Sequence, residues 1–384
     1  MTDLPDIRGV CPPEFAAVKD AFAANFVDAP EGLNEQGARF SLCVDGEVVV
    51  DLIGGWADTA RTVPYAEQTL TPVFSTGKAV MALLIATCVE RGLLDYERPV
   101  AEYWPAFGQA GKDGITVGQL MSHQAGLPGF AETAEPAIWF DRQAVLDRLC
   151  AQAPMWAPGT ASGYHPITIG YLAGELFRLV DGRTMGTALR EDFPGLDLWI
   201  GLPESEHGRV AQMKKPTAPP DLGEIDAVKR SAFLDRGSAP GGRGSTEWRM
   251  AEIPSANLHG TARDLARIMA AVATGEFEGR RVLTEATRAA ALRERIRGQD
   301  RVLPFVMGWS AGWTRNAGLR IFGPGEQTIG HYGWGGSCAF ADPERRLSGS
   351  YVMTRQSRHL IGDPRAVRLI EAAYTGGRVP GSGA

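Results

Sequence analysis

Lysine is scarce in this chain of 384 residues, with six among 39 basic side chains, and no basic block or stripe interrupts the sequence. With a net charge of -6, the footprint of a nucleic-acid binder is missing. Cysteine is scarce too. Cys11, Cys43, Cys88, Cys150 and Cys338 are odd in number and show no CxxC spacing. That fits reduced thiols, not a disulfide framework or zinc site. Cys88 reads as a small core residue, and Cys338 as a lesser candidate thiol nucleophile. The histidines include no HxxxH or HExxH pair, so no metal is expected. Long apolar runs are absent: Val80 to Val89 falls far short of the roughly 20 residues a membrane span needs. The opening "MTDLPDIRGVCPPEF" carries acids where an export signal would be basic, and no apolar segment follows. The expectation is a cytoplasmic protein with no membrane partner.

What is present alternates between two regimes. Phe15, Val18, Phe22 and Phe26 recur at helical spacing. Two β-rich runs then flank Asp45-Gly46, a hairpin signal. A run from about Ser75 to Arg91, stopped by Gly92, reads as one helix apolar on nearly all sides and therefore buried. From about Trp104 to Ala290 the pattern is helical, broken by Pro/Gly-rich loops. The clearest helices are "HPITIGYLAGELFRLV", "TARDLARIMAAVAT" and "TEATRAAALRERI". Strands return in "PFVMGWSAGWT", "TIGHYGWGGSCAFADPE" and "LSGSYVMTRQ". A final helix follows Asp363, its expected N-cap, with Pro364 at N1. The tail "GGRVPGSGA" reads as disordered. Strands at both ends and helices between them predict an α+β fold. Its mostly antiparallel sheet is flanked by terminal helices and interrupted by an inserted helical region.

Three stretches carry candidate chemistry. "TPVFSTGKAV" ends in Gly77-Lys78, like a phosphate-binding loop. That motif also needs an earlier glycine and a hydroxyl after the lysine, and Pro72 and Ala79 stand there instead. No cofactor is expected. The same stretch holds Ser75 three residues before Lys78, one helical turn, so hydroxyl and amine can touch. A buried lysine loses basicity and can take a proton from a serine. Alternatively Ser75 is an N-cap and Lys78 a solvated side chain. None of the other lysines has a serine three residues before it, and a lysine entering so apolar a helix favours chemistry. Tyr164, in a loop before a helix, is either a packing residue or a general base. "GHYGWGGS", Gly330 to Ser337, holds four glycines, which mark a tight turn or a close approach of backbone to a substrate.

Taken together, Ser75-Thr76-Gly77-Lys78, Tyr164 and His331-Tyr332-Gly333 resemble the signature of the serine β-lactamase and penicillin-binding-protein superfamily. The class C β-lactamases match more closely, and the family VIII carboxylesterases most closely. "GEVVVDLIGGWAD", "ITVGQLMSHQAGLPG", "HPITIGYLAGEL" and "SANLHGTARDLARIM" look like segments of those esterases. The resemblance implies Ser75 as acylated nucleophile, with Lys78 and Tyr164 sharing the proton transfers. The backbone N–H groups of Ser75 and Trp334 would form the oxyanion hole. It further implies a discontinuous sheet domain (1–85 with 296–384), a helical domain (86–295) and a site between them. His331, Gly333, Trp334, Trp156 and His165 are the expected substrate-binding residues.

Two departures bear on substrate. Pro166 stands where the class C enzymes carry an asparagine, and it has no donor to offer. His331 stands where the lactamases carry a lysine, and a neutral imidazole grips a carboxylate weakly. Both, with the missing export signal, favour hydrolysis of small, short-chain carboxylic esters. The G-x-S-x-G elbow of the α/β-hydrolases is absent. The alternatives are a β-lactamase, peptidase or amide hydrolase, an acyltransferase, or a non-catalytic binding relative. His123 and His259 are expected as hydrogen-bonded structural residues. His207 and His359 are expected on the surface.

Overall fold

The computed structural model describes residues 4–375. The tail expected to be disordered lies outside them. Three strands come from the start of the chain: β1 (Ile7–Val10), β2 (Gly37–Val44) and β3 (Glu47–Gly55). Asp45 and Gly46 turn β2 into β3 as expected, both in the left-handed region at φ 52° and 88°, which suits a tight hairpin. Next in order come β4 (Thr71–Phe74), β5 (Leu198–Trp199) and β6 (Leu258–Gly260), which form a small sheet in the order β4-β6-β5. β7 (Glu276–Phe277) and β8 (Arg280–Arg281) make a hairpin. The last six strands are β9 (Ile296–Gln299), β10 (Val306–Trp309), β11 (Thr314–Arg315), β12 (Ile329–Tyr332), β13 (Cys338–Asp342) and β14 (Leu347–Met353).

The main sheet has nine antiparallel strands in the order β1-β3-β2-β14-β13-β12-β11-β10-β9. It draws only on the two ends of the chain. The two ends of the chain join at the β2–β14 pairing, Leu347↔Val44 through Met353↔Ala38. Side chains alternate across that seam. Phe40 and Leu42 join Phe15, Val18, Phe22, Leu369 and Ile370 under the terminal helices Ala16–Val27 and Pro364–Thr375. Cys43 points the other way, onto Ala266 and Ala270 of the helix Ala262–Thr274. That helix, from the middle of the chain, covers the second face of the sheet, and the Ser348 hydroxyl donates to its Ala266 carbonyl at 2.7 Å.

The helix expected from Ser75 starts two residues later, at Gly77, and runs to Glu90. The chain is still leaving β4 at Ser75, so the serine sits in the turn and not in the helix. From Gly77 to Cys88 every residue is buried, as the all-round apolar pattern predicts. The helix expected over "TEATRAAALRERI" stops at Leu292, because the chain goes on to the edge strand β9. β5 to β8 were not anticipated; strands of two or three residues are too short to show alternation. Thr261 caps the helix Ala262–Thr274 by accepting from the Asp264 amide at 3.1 Å. The Asp363 carboxylate likewise accepts from the Arg365 amide at 2.9 Å at the start of the last helix. No helix among the described residues is long and apolar enough to cross a membrane.

Candidate active site

Phe74 ends β4 with φ 49°, a left-handed backbone that a bulky residue adopts only under constraint. The β4–β6 register shifts between Pro72 and Phe74, and this irregularity turns Ser75 out of the sheet. Gly77 follows because nothing larger fits: a Cβ there would lie 2.8 Å from the Pro254 carbonyl oxygen and 2.9 Å from Leu258 Cβ. One turn on, Lys78 enters the core fully buried. Its Nζ lies 2.9 Å from Ser75 Oγ, 2.7 Å from the Pro166 carbonyl and 2.8 Å from the Ser255 carbonyl. Burial, with no acid offsetting it, holds the amine well below the usual lysine range. A neutral amine has two N–H donors and one lone pair. The two carbonyls take the donors, which leaves the lone pair for the Ser75 hydroxyl. Pro166 does lack a donor, and its carbonyl fixes Lys78 instead.

Tyr164 completes the group. Its ring lies 4.8 Å from Lys78 Nζ and stacks on Trp309 at 5.9 Å, with 4° between planes. Burial raises its phenol, and the facing Ser75 hydroxyl offsets part of that rise. The backbone of Tyr164 is held by Asp300, a residue the sequence did not single out. The Asp300 carboxylate accepts from the amides of Tyr164, Val302 and Leu303 at 2.9 Å each. It also accepts from the Ser162 hydroxyl at 2.9 Å and the Trp309 indole at 3.3 Å. One acid in "GQDRVLPF" carries no spacing signal that would reveal such a role.

Trp156 and His165 do not wall the cavity at Ser75; they brace the Tyr164 loop from behind. Adjacency in sequence did not fix which side of the loop they occupy. The Trp156 indole donates to the Ala161 carbonyl at 3.0 Å, and a Cβ on Gly163 would meet its ring at 2.5 Å. His165 Nε2 accepts from the Leu127 amide at 3.0 Å, so its Nδ1 donates to the Gly163 carbonyl at 2.5 Å. Burial holds this imidazole neutral, with its pKa down at about 3. His123 is a structural residue as expected: its Nδ1 accepts from the His165 amide at 3.2 Å. His259, also buried, pairs Nδ1 with the Asn257 carbonyl at 2.8 Å.

The third element is the turn after β12. Gly333 donates to the Ser337 carbonyl at 2.7 Å. A Cβ on Gly333 would lie 2.1 Å from the Val73 carbonyl oxygen, so the turn presses directly on the strand that delivers Ser75. The Ser337 hydroxyl binds both that carbonyl and Thr76 Oγ1, each at 3.0 Å. From outside, Gln356 Nε2 donates to the Trp334 carbonyl at 3.2 Å, and the Ser357 amide to Gly335 at 2.9 Å. Among the described residues, neither the Ser75 nor the Trp334 amide donates to a protein acceptor. His331 lies beside them, buried, with its pKa lowered to about 3 by desolvation and by Lys78. Its Nδ1 donates to the Tyr332 carbonyl at 2.7 Å, which leaves a bare Nε2 acceptor.

These elements border a cavity of about 370 Å3. His331, Trp334 and Pro166 line it as side chains, whereas Gly333 contributes backbone packing. The rest of the wall, including Phe74, Trp248, Ile225, Phe233 and Leu303, is mostly apolar, with Arg243 its one charged side chain. Among the described residues no cluster of metal-ligating side chains occurs.

This arrangement brings together a hydroxyl, a buried amine, a phenol and two amides without a protein acceptor. The β-lactamase family model matches residues 22–373. The chain is 36% identical over 372 residues to the esterase/β-lactamase LipL of Mycobacterium tuberculosis, across 92% of this chain and 84% of that one. A penicillin-binding protein homologue from Caulobacter crescentus superposes with a TM-score of 0.93 at 57% identity, covering 96% of this chain and 99% of its own. A family VIII carboxylesterase superposes with a TM-score of 0.89 at 40% identity, again across 96% and 99%. By that match and by these relatives, this chain belongs to the β-lactamase family.

Proposed function

We propose that the protein is a serine esterase that cleaves small carboxylic esters through an acyl-enzyme on Ser75. The observation that carries this reading is the Lys78 amine, tied to two backbone carbonyls and 2.9 Å from Ser75 Oγ. The opposite shifts of Lys78 and Tyr164 support a division of roles: burial favours the unprotonated amine and the protonated phenol. Lys78 takes the hydroxyl proton as Ser75 Oγ bonds to the ester carbonyl carbon. The oxyanion forms against the Ser75 and Trp334 amides. As the carbon–oxygen bond to the alcohol breaks, Tyr164 donates a proton to the departing oxygen and is reprotonated from Lys78. Water then repeats the sequence on the acyl-enzyme and releases the acid.

Esters are favoured over β-lactams because the two positions that depart from the class C enzymes, Pro166 and His331, offer neither a side-chain donor nor a cation beside Ser75. Pro166 spends its carbonyl on Lys78, and His331 is neutral. The name of LipL joins both activities, so a lactam is the control. Hydrolysis of para-nitrophenyl butyrate and of a chromogenic cephalosporin, by wild type and Ser75→Ala, tests the proposal. Ester turnover should dominate and fall by about a thousandfold or more in the variant. Equal rates in both proteins remove Ser75 from the mechanism, and faster cephalosporin turnover reverses the substrate order. We also infer two bodies meeting at the cleft, 1–85 with 296–384 against 86–295. The support is a main sheet built only from strands within 7–55 and 296–353. The helix Ala262–Thr274 packs with the sheet side.

A further inference from the structure

Arg243 is the one charged side chain among the wall residues of the cavity, and the wall contains no Asp or Glu. It stands on a loop between Gly242 and Gly244, both left-handed at φ 62° and 86°. Its guanidinium lies 5.3 Å from the Phe74 ring centroid and 5.9 Å from that of Trp334. These two residues flank the nucleophile and carry a free amide of the site. Some exposed arginines in this chain sit in ion pairs, such as Arg236 with Glu135 and Arg230 with Asp235. Arg243 has no such carboxylate among the described residues, and burial against the rings, with no acid opposing it, lowers its pKa. The residue stays open at the rim, but its charged end rests over aromatic faces. A cation held this way in an apolar cavity keeps an unspent capacity for an anion.

The position also selects which end of an ester the anion occupies. The alcohol must leave beside Lys78 and Tyr164, which protonate it. Arg243 lies over the rings of Phe74 and Trp334 and not over that of Tyr164, which points it to the acyl side. Resting on the esterase reading above, we propose that the preferred substrates are esters whose short acyl chain ends in a carboxylate, bound by Arg243. The aliphatic stem lies against Phe74, Trp248 and Phe233, and the acid pairs with the guanidinium. The product would be a short dicarboxylic acid.

The test compares mono-para-nitrophenyl glutarate with para-nitrophenyl butyrate in wild type, Arg243→Gln and Arg243→Lys. The ratio of kcat/KM for the acidic over the neutral ester should fall by roughly ten- to hundredfold in Arg243→Gln, the worth of a charge-assisted contact. Arg243→Lys should recover part of it. An unchanged ratio overturns the proposal. So does a preference found only for 4-carboxyphenyl butyrate, whose acid lies on the alcohol side. Calorimetric titration with free glutarate separates this inference from the esterase reading. Affinity about tenfold weaker in Arg243→Gln supports the anion contact even if no ester is turned over, and equal affinity rejects it.

Discussion

A single amine decides the pH behaviour of the proposed site. Lys78 acts only when unprotonated, so kcat/KM should rise with pH through its lowered pKa and be lost as pH falls below it. The same shift affects stability. Folded and unfolded amines differ in protonation only between the lowered pKa and the ordinary 10.5, so stability falls as pH drops from 10.5 toward the lowered value and levels off below it. Lys78→Arg places a permanent cation of similar reach that cannot accept a proton. It should lower kcat by about a hundredfold or more and abolish the ascending limb of the pH–rate profile. A limb that survives in Lys78→Arg would place the base elsewhere. The Ser75–Lys78 pair was legible in the sequence because it lies within one helical turn. The acceptors that make Lys78 a base, the Pro166 and Ser255 carbonyls, were not, because a backbone carbonyl looks the same at every residue.

At the scale of elements, the site rests on turns more than on helices or strands. Asp300 organises the longest of these. Its carboxylate gathers donors from the Tyr164 loop, from Val302 and Leu303, and from Trp309 on β10. Asp300→Ala strands several buried donors at once. It should cost about 3 kcal/mol or more of stability in denaturant unfolding. It should also reduce kcat more than it raises KM, because Tyr164 moves while the cavity wall persists. A KM effect alone would confine Asp300 to the wall. Why the sequence hid this is physical. Strand alternation, helical period and turn residues are local signals, and they located most long helices and the strands of the main sheet other than its edges, β1 and β9. The partner of a buried acid is set by tertiary packing, as are Arg243 above Phe74 and the placement of Trp156 behind Tyr164.

Across the whole molecule, the two ends of the chain are tied by a buried cluster. Arg365 forms a bidentate pair with Asp363, and its third nitrogen lies 3.1 Å from Glu35. One cation meets two carboxylates, so the less well-held acid keeps its proton. Burial raises Glu35 from the ordinary 4.5 to about 8, against the pull of Arg365. A raised carboxyl stabilises the fold fully below pH 4.5, and that contribution is lost as pH rises to about 8. Glu35→Gln removes the titration. Its unfolding temperature relative to wild type should therefore climb between about pH 5 and about pH 8. A constant difference would show that Glu35 ionises normally.

Gly333 and Val73 have a consequence for biosynthesis. The strand that delivers the nucleophile and the turn that supplies the second amide touch with no space for a methyl group, yet they are made far apart in time on the ribosome. Under the proposed mechanism, a nascent chain that has emerged through Ser75, Lys78 and Tyr164 lacks the second amide of the oxyanion site until the turn after β12 docks on β4. Ester turnover would then report the closure of these two distant segments on each other.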